Sequence, residues 1–146
     1  MTKSEFTGWT DTLSEEDKQK ANGYFYVIRR DNESNQLKFV SYADEYRDLL
    51  QESSRLLKEA SSLTDNESLQ TFLNSRADSF LSNDYYQSDV DWVHLDSLID
   101  VTIGPYEVYR DRLFNAKASF ESFIGIKDEI ETKKLVRIIN FIIILE

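Results

Sequence analysis

The chain has 146 residues, with 17 Lys+Arg against 27 Asp+Glu, a formal net charge of -10, one His and no Cys. That length suits one domain, and the counts exclude a disulfide framework, a thiol nucleophile and the several imidazoles of most catalytic zinc sites. The acidic balance excludes a nucleic-acid partner, which needs clustered Lys/Arg, and 40% hydrophobic content excludes a disordered acidic chain, so a folded, soluble, cytoplasmic protein is expected.

The N-terminus, MTKSEFTGWTDTLSEED, lacks the apolar core and small-residue cleavage site of a signal peptide. Ser14, with Asp17 three residues on, reads as an N-cap, and Ala21, Tyr24, Phe25 and Ile28 follow at helical spacing. The polar run Asp31 to Gln36 predicts a loop after Arg30. Ser41 with Asp44 predicts the start of the longest helix, whose apolar face is Tyr46, Leu49, Leu50, Leu56, Leu57, Ala60 and Leu63. Thr64 to Glu67 reads as a capping box, and Leu69, Phe72, Leu73, Ala77, Phe80 and Leu81 form the next stripe. Two such helices joined by a short polar link predict an antiparallel hairpin.

The pattern changes after Asn83. DYYQSDVDWVHLDS predicts a loop or short helix, whereas LIDVTIGPYEVYRD and KASFESFIGIKD predict two strands joined through Asp111–Ala116. Pro105 has no ladder N–H and marks an edge or a bulge. No further strand is evident. The apolar run from Leu135 to Leu145 is too short for the about 20 residues of a membrane span and carries Arg137 and Asn140, so no membrane partner is expected. The fold class is therefore α+β and predominantly helical, with N-terminal helices, a short antiparallel β segment and a C-terminal apolar helix. One domain over 1–146 divides into a helical part (14–83), an acidic loop and strand part (84–128) and an apolar tail (129–146).

Chemistry is sparse. His94 suits a general base oriented by Asp91 or Asp96, but a single His in an aromatic segment is more often hydrogen-bonded to backbone. Between Arg76 and Arg110 lie seven carboxylates, from Asp78 to Glu107, and no Lys or Arg. Such a stretch suits a cation, either a metal ion or the ammonium of a peptide N-terminus, or is a solvated acidic face. EF-hand, glycine-rich phosphate and G-x-S-x-G patterns are missing. Asp100 stands inside the apolar run Leu98 to Ile103, where a buried carboxylate is costly without a partner.

The run from Phe80 to Asp128, with its IGPYEVY and KASFESFIGI strings, resembles the dipeptidyl peptidase III family of zinc metallopeptidases, in particular its bacterial and plant members. Some of those are fused to a Nudix hydrolase domain. The segment Trp9 to Arg30 is similar to the one preceding it there, so the likeness covers about Glu5 to Asp128 and fades over ETKKLVRIINFIIILE. The resemblance implies part of a two-lobed peptidase, a substrate-binding lobe without the zinc-binding H-E-x-x-(x)-H helix, and hence an incomplete domain. Zinc is the cofactor of complete members, and none is expected in this chain. By this likeness Asp100 holds the α-amine of a peptide, with Thr102, Tyr106 and Glu107 lining the cleft nearby. Characterised members carry a Tyr where this sequence has Thr102, a departure that bears on the activity of any parent protein. The implied partners are a peptide N-terminus and the missing zinc lobe. The alternative is a non-catalytic peptide- or protein-binding module using the acidic β segment and the apolar C-terminal helix.

Overall fold

A computed structural model describes residues 1–111 and 114–135. The chain begins with α1 (Lys3–Thr10) and α2 (Glu15–Asn22), followed by a hairpin of β1 (Tyr26–Arg30) and β2 (Leu37–Ser41). Four helices come next: α3 (Tyr42–Glu45), α4 (Arg47–Ser62), α5 (Glu67–Ser82) and α6 (Tyr86–Val93). The antiparallel strands β3 (Ile99–Glu107) and β4 (Ser119–Ile126) follow, and residues 129–135 are helical. The architecture is α+β, with two separate two-stranded sheets among the described residues. None of the described helices is long and apolar enough to cross a membrane.

The cap at Ser14 forms, its hydroxyl accepting from Asp17 N at 3.1 Å, but the helix stops at Asn22 rather than running to Ile28. Gly23 leaves the helix in an extended conformation, and the aromatic and β-branched run from Tyr26 to Ile28 becomes β1. The polar segment after Arg30 is thus the turn of a hairpin pairing Tyr26 with Ser41 through Arg30 with Leu37. Asn35 supplies its left-handed residue at φ 58°. The Asp31 carboxylate accepts from the backbone N–H groups of Glu33 and Ser34 and from Lys38, contacts that hold its pKa well below the usual range.

Ser41 caps as expected, but it opens only the single turn of α3, and the chain breaks at Tyr46 before α4 begins. Thr64 does not cap α5. Asn66 does, its side chain accepting from Leu69 N at 2.8 Å, while Thr64 Oγ1 accepts from Asn66 N. The antiparallel pairing of α4 and α5 stands, tied by Ser61 to Asn74 at 3.0 Å and Lys58 to Asp78 at 2.8 Å.

The buried row of α4 is Leu50, Ser54, Leu57 and Ser61, so only part of its expected apolar face turns inward. Leu49, Leu56 and Leu63 lie one residue round the helix and are 71%, 50% and 82% exposed. On α5 the stripe Leu69, Phe72, Leu73, Ala77 and Phe80 is buried, and only Leu81 is exposed. These residues, with Tyr85 and Val101, form the core.

The β3–β4 hairpin docks on this body through Val101 and through Phe120, whose ring lies 5.5 Å from Tyr42, 5.9 Å from Tyr46 and 6.1 Å from Phe80. The chain entering β4 is stitched to the N-terminal part as well. Ala118 N donates to Tyr24 O at 3.0 Å, Tyr42 Oη to Ala118 O at 2.5 Å, and Lys117 Nζ to Ala21 O and Gly23 O at 2.6 and 2.7 Å. A bulge follows Pro105, as its missing donor predicts. Of the expected C-terminal apolar helix, residues 129–135 are helical, and the run from 136 onward lies outside the described residues.

Candidate functional site

The anticipated site residues all fall on β3, yet the fold separates them into two groups. Val101 turns into the core, so Asp100 and Thr102 point away from it by strand alternation. Asp100 is exposed and pairs in register with Gly125, where a side chain would meet nothing within 4 Å. The desolvation cost expected from its apolar neighbours therefore does not arise in the described structure. Its carboxylate has no hydrogen-bond or ion-pair partner among the described residues and is available to an incoming cation. Thr102 stands opposite Phe123, a ring 65% exposed, so the carboxylate, the hydroxyl and the aromatic share one open strip of the hairpin. The indole of Trp92 on α6 donates to Val101 O at 3.0 Å and fixes the strand between the two polar residues.

Tyr106 and Glu107 face different surroundings. The Tyr106 hydroxyl donates to Asp89 Oδ1 at 3.4 Å and accepts from Arg76 Nη2, so it is engaged inside the protein. Burial pushes this phenol up to about 12, with the Arg76 charge opposing the shift. Glu107 lies beyond the bulge beside Glu121. Desolvation, then the hydrogen bond and charge of Glu107, raise the Glu121 pKa above the ordinary glutamate value.

Sequence reasoning missed Arg76. It is fully buried on α5, with Nη2 donating to Asp89 Oδ1 at 2.6 Å. Its guanidinium lies over the rings of Phe72, Tyr85 and Tyr106 at 5.5, 5.3 and 5.2 Å from their centroids. Gly104 makes the room: a Cβ there would stand 2.8 Å from Arg76 Nη1, and its φ of +153° also suits glycine. The signal was present in the spacing. Position 76 is four residues from both Phe72 and Phe80, in the middle of the buried stripe.

His94 is exposed at the end of α6, and its Nδ1 lies 2.8 Å from Val90 O. That is the backbone-bonded arrangement, with no carboxylate among the described residues orienting the ring. Among the described residues no group of three or more His, Cys, Asp or Glu side chains is placed to hold a metal ion. The residues described do not fit zinc. An open groove of about 540 Å³ runs between α4 and the β3–β4 hairpin, lined by Tyr46, Leu49, Phe80, Ile103, Phe120 and Glu121 among others.

Residues 13–141 match Peptidase family M49. Nudix hydrolase 3 of Arabidopsis thaliana is 42% identical over 154 aligned residues, covering 92% of this chain and 20% of that protein. Dipeptidyl-peptidase III from Corallococcus sp. strain EGB superposes with a TM-score of 0.88 at 45% identity, over 94% of this chain and 26% of its own. DPP III from Caldithrix abyssi gives 0.90 at 42% identity, over 97% of this chain and 26% of its own. The chain thus spans about a fifth to a quarter of the length of these relatives.

Proposed function

Because the chain belongs to peptidase family M49, we propose that it is the substrate-binding portion of a dipeptidyl peptidase III-like zinc peptidase, without a zinc site of its own and catalytically incompetent alone. Its role is to hold the free α-ammonium of a peptide through Asp100, with Thr102 beside it. Tyr106 and Glu107 lie further along the strand. The observation that carries this reading is the exposed Asp100 carboxylate opposite Gly125, unpaired among the described residues, within a strip that Thr102 and Phe123 complete. An ammonium there gains a charge-assisted hydrogen bond, and the facing glycine leaves space for the peptide chain. Hydrolysis requires a metal centre supplied by other residues. A cytoplasmic setting goes with this reading.

The test is a titration of the chain with a short peptide bearing either a free or an acetylated N-terminus. The free amine binds more tightly, and Asp100→Asn weakens it by about tenfold while leaving the acetylated peptide unchanged, as loss of one charged hydrogen bond implies. Equal loss for both peptides, or none, removes Asp100 from the role.

A second reading, a protein-docking module, is favoured by the apolar surface around β4. Phe123, Ile124, Ile126 and Ile130 are 65%, 72%, 79% and 70% exposed, and β4 pairs on one side only among the described residues. Exposed apolar edge strands recruit further polypeptide. Ile124→Lys is expected to reduce concentration-dependent self-association in sedimentation without lowering the melting temperature. If association is unchanged, this edge is not the docking surface.

A further inference from the structure

Among the described residues Arg76 is the one charged side chain that is fully buried, and its Nε and Nη1 have no hydrogen-bond partner. A guanidinium in that state is costly, and an apolar side chain of similar length would fill the same place on α5 without the penalty. What an apolar residue lacks is polar reach from α5 to two further elements at once. Nη2 bonds Asp89 on α6 and Tyr106 on β3, and the guanidinium lies against the backbone of Gly104.

Among the described residues the other polar tie between β3 and the helices is the Trp92 indole at Val101 O, again from α6. The strand is therefore held at two places along its length, Val101 and the Gly104–Tyr106 stretch. The Val101 hold is on the backbone and fixes the strand's position. Tyr106, by contrast, is gripped by its hydroxyl, at the end of a side chain off the strand axis, and so resists roll. Roll is the coordinate that matters here, because Asp100 and Thr102 flank the first attachment and are aimed by the strand's rotation about its own axis.

We infer that Arg76 is the positioning residue of the candidate peptide-binding strand, setting the roll of β3 through Tyr106 and Gly104 and thereby the direction of Asp100. Its mechanical part stands alone, and its functional part rests on the proposed role of Asp100. The planar guanidinium is essential, because it lies over three rings while its Nη2 bonds a carboxylate and a phenol together. Asp89 is half-exposed and tolerates loss of its partner by hydration, so Arg76→Met removes the clamp while preserving volume. Tyr106→Phe removes only the hydroxyl contact.

The experiment is site-resolved amide hydrogen exchange on the whole chain, with the peptide titration in parallel. In Arg76→Met, amides of β3 and β4 are expected to lose at least tenfold in protection while those of α4 and α5 keep theirs. Tyr106→Phe shows the same pattern, several-fold weaker. In both variants the preference for free over acetylated peptide falls, by about fivefold in Arg76→Met. If Arg76→Met does not fold, Tyr106→Phe decides alone. Unchanged β3–β4 protection in a folded variant overturns the inference, and lost protection with an intact amine preference overturns its functional part. If the wild-type chain shows no amine preference, the role of Asp100 fails, and the exchange pattern still decides whether Arg76 positions the strand.

Discussion

Phe72→Ala is expected to cost the chain about 3–5 kcal/mol, the loss that accompanies truncating a fully buried aromatic. Phe72 is 0% exposed on the buried face of α5, within the cluster that includes Leu50, Leu57, Phe80 and Val101. Two effects add. The ring's departure leaves a cavity that the α4–α5 pairing cannot fully collapse, and it strips one of three rings from the Arg76 guanidinium, 5.5 Å from the Phe72 centroid. Urea unfolding followed by circular dichroism measures it. At a slope of about 2 kcal/mol per M, the midpoint drops by about 2 M. A midpoint that scarcely moves places the ring outside the cooperative core.

The second large effect is alkaline unfolding. Burial pushes the phenols of Tyr42 and Tyr106 up to about 12 and that of Tyr85 higher still, against about 10 in an unfolded chain. Above pH about 10 the unfolded state releases protons that the folded state retains, so stability present below pH 10 is lost as pH rises through the folded values. Tyr42 alone, 3% exposed, accounts for about 2–3 kcal/mol at completion. Its ionisation also turns a donor to Ala118 O into an anion facing that carbonyl. Lys117 acts oppositely at lower pH. Burial lowers it to about 8, below its ordinary value of 10.5, so the unfolded state binds the extra proton and stability rises across that interval. The expected profile climbs from pH 8 towards 10 and then collapses. Phenolate absorbance and circular dichroism are the paired measurements, and the buried tyrosines should ionise together with loss of ellipticity. Complete ionisation near pH 10 with a native spectrum contradicts their placement.

The α4–α5 hairpin was legible because two independent signals agreed, an apolar stripe on each helix and a short polar link between them. The stripe on α4 was too broad, however. Leu49, Leu56 and Leu63 repeat at the same interval as Leu50 and Leu57, and only one of two adjacent rows can face α5. The β1–β2 hairpin was illegible for the same kind of reason. Ala21, Tyr24, Phe25 and Ile28 fit a helical period, and the breaking signal was the single Gly23. The β3–β4 strands were readable from their aromatic and β-branched content, and Pro105 marked its bulge. The fold class and the family were both readable, the latter from the strings around Gly104 and Phe120. The Arg76 clamp was hidden because a charged residue in an apolar stripe looks like an interruption, when here it joins α5, α6 and β3.

The fit between Gly104 and Arg76 also constrains how such chains diverge. The space that the missing Cβ leaves is the space the guanidinium fills, so neither position is free to change by itself. Among homologous chains the two positions should vary as a pair, with a larger residue at 104 accompanied by a shorter one at 76, and Tyr106 released from its bond in the same lineages. That pattern of substitution is readable from sequences alone, with no purified protein required.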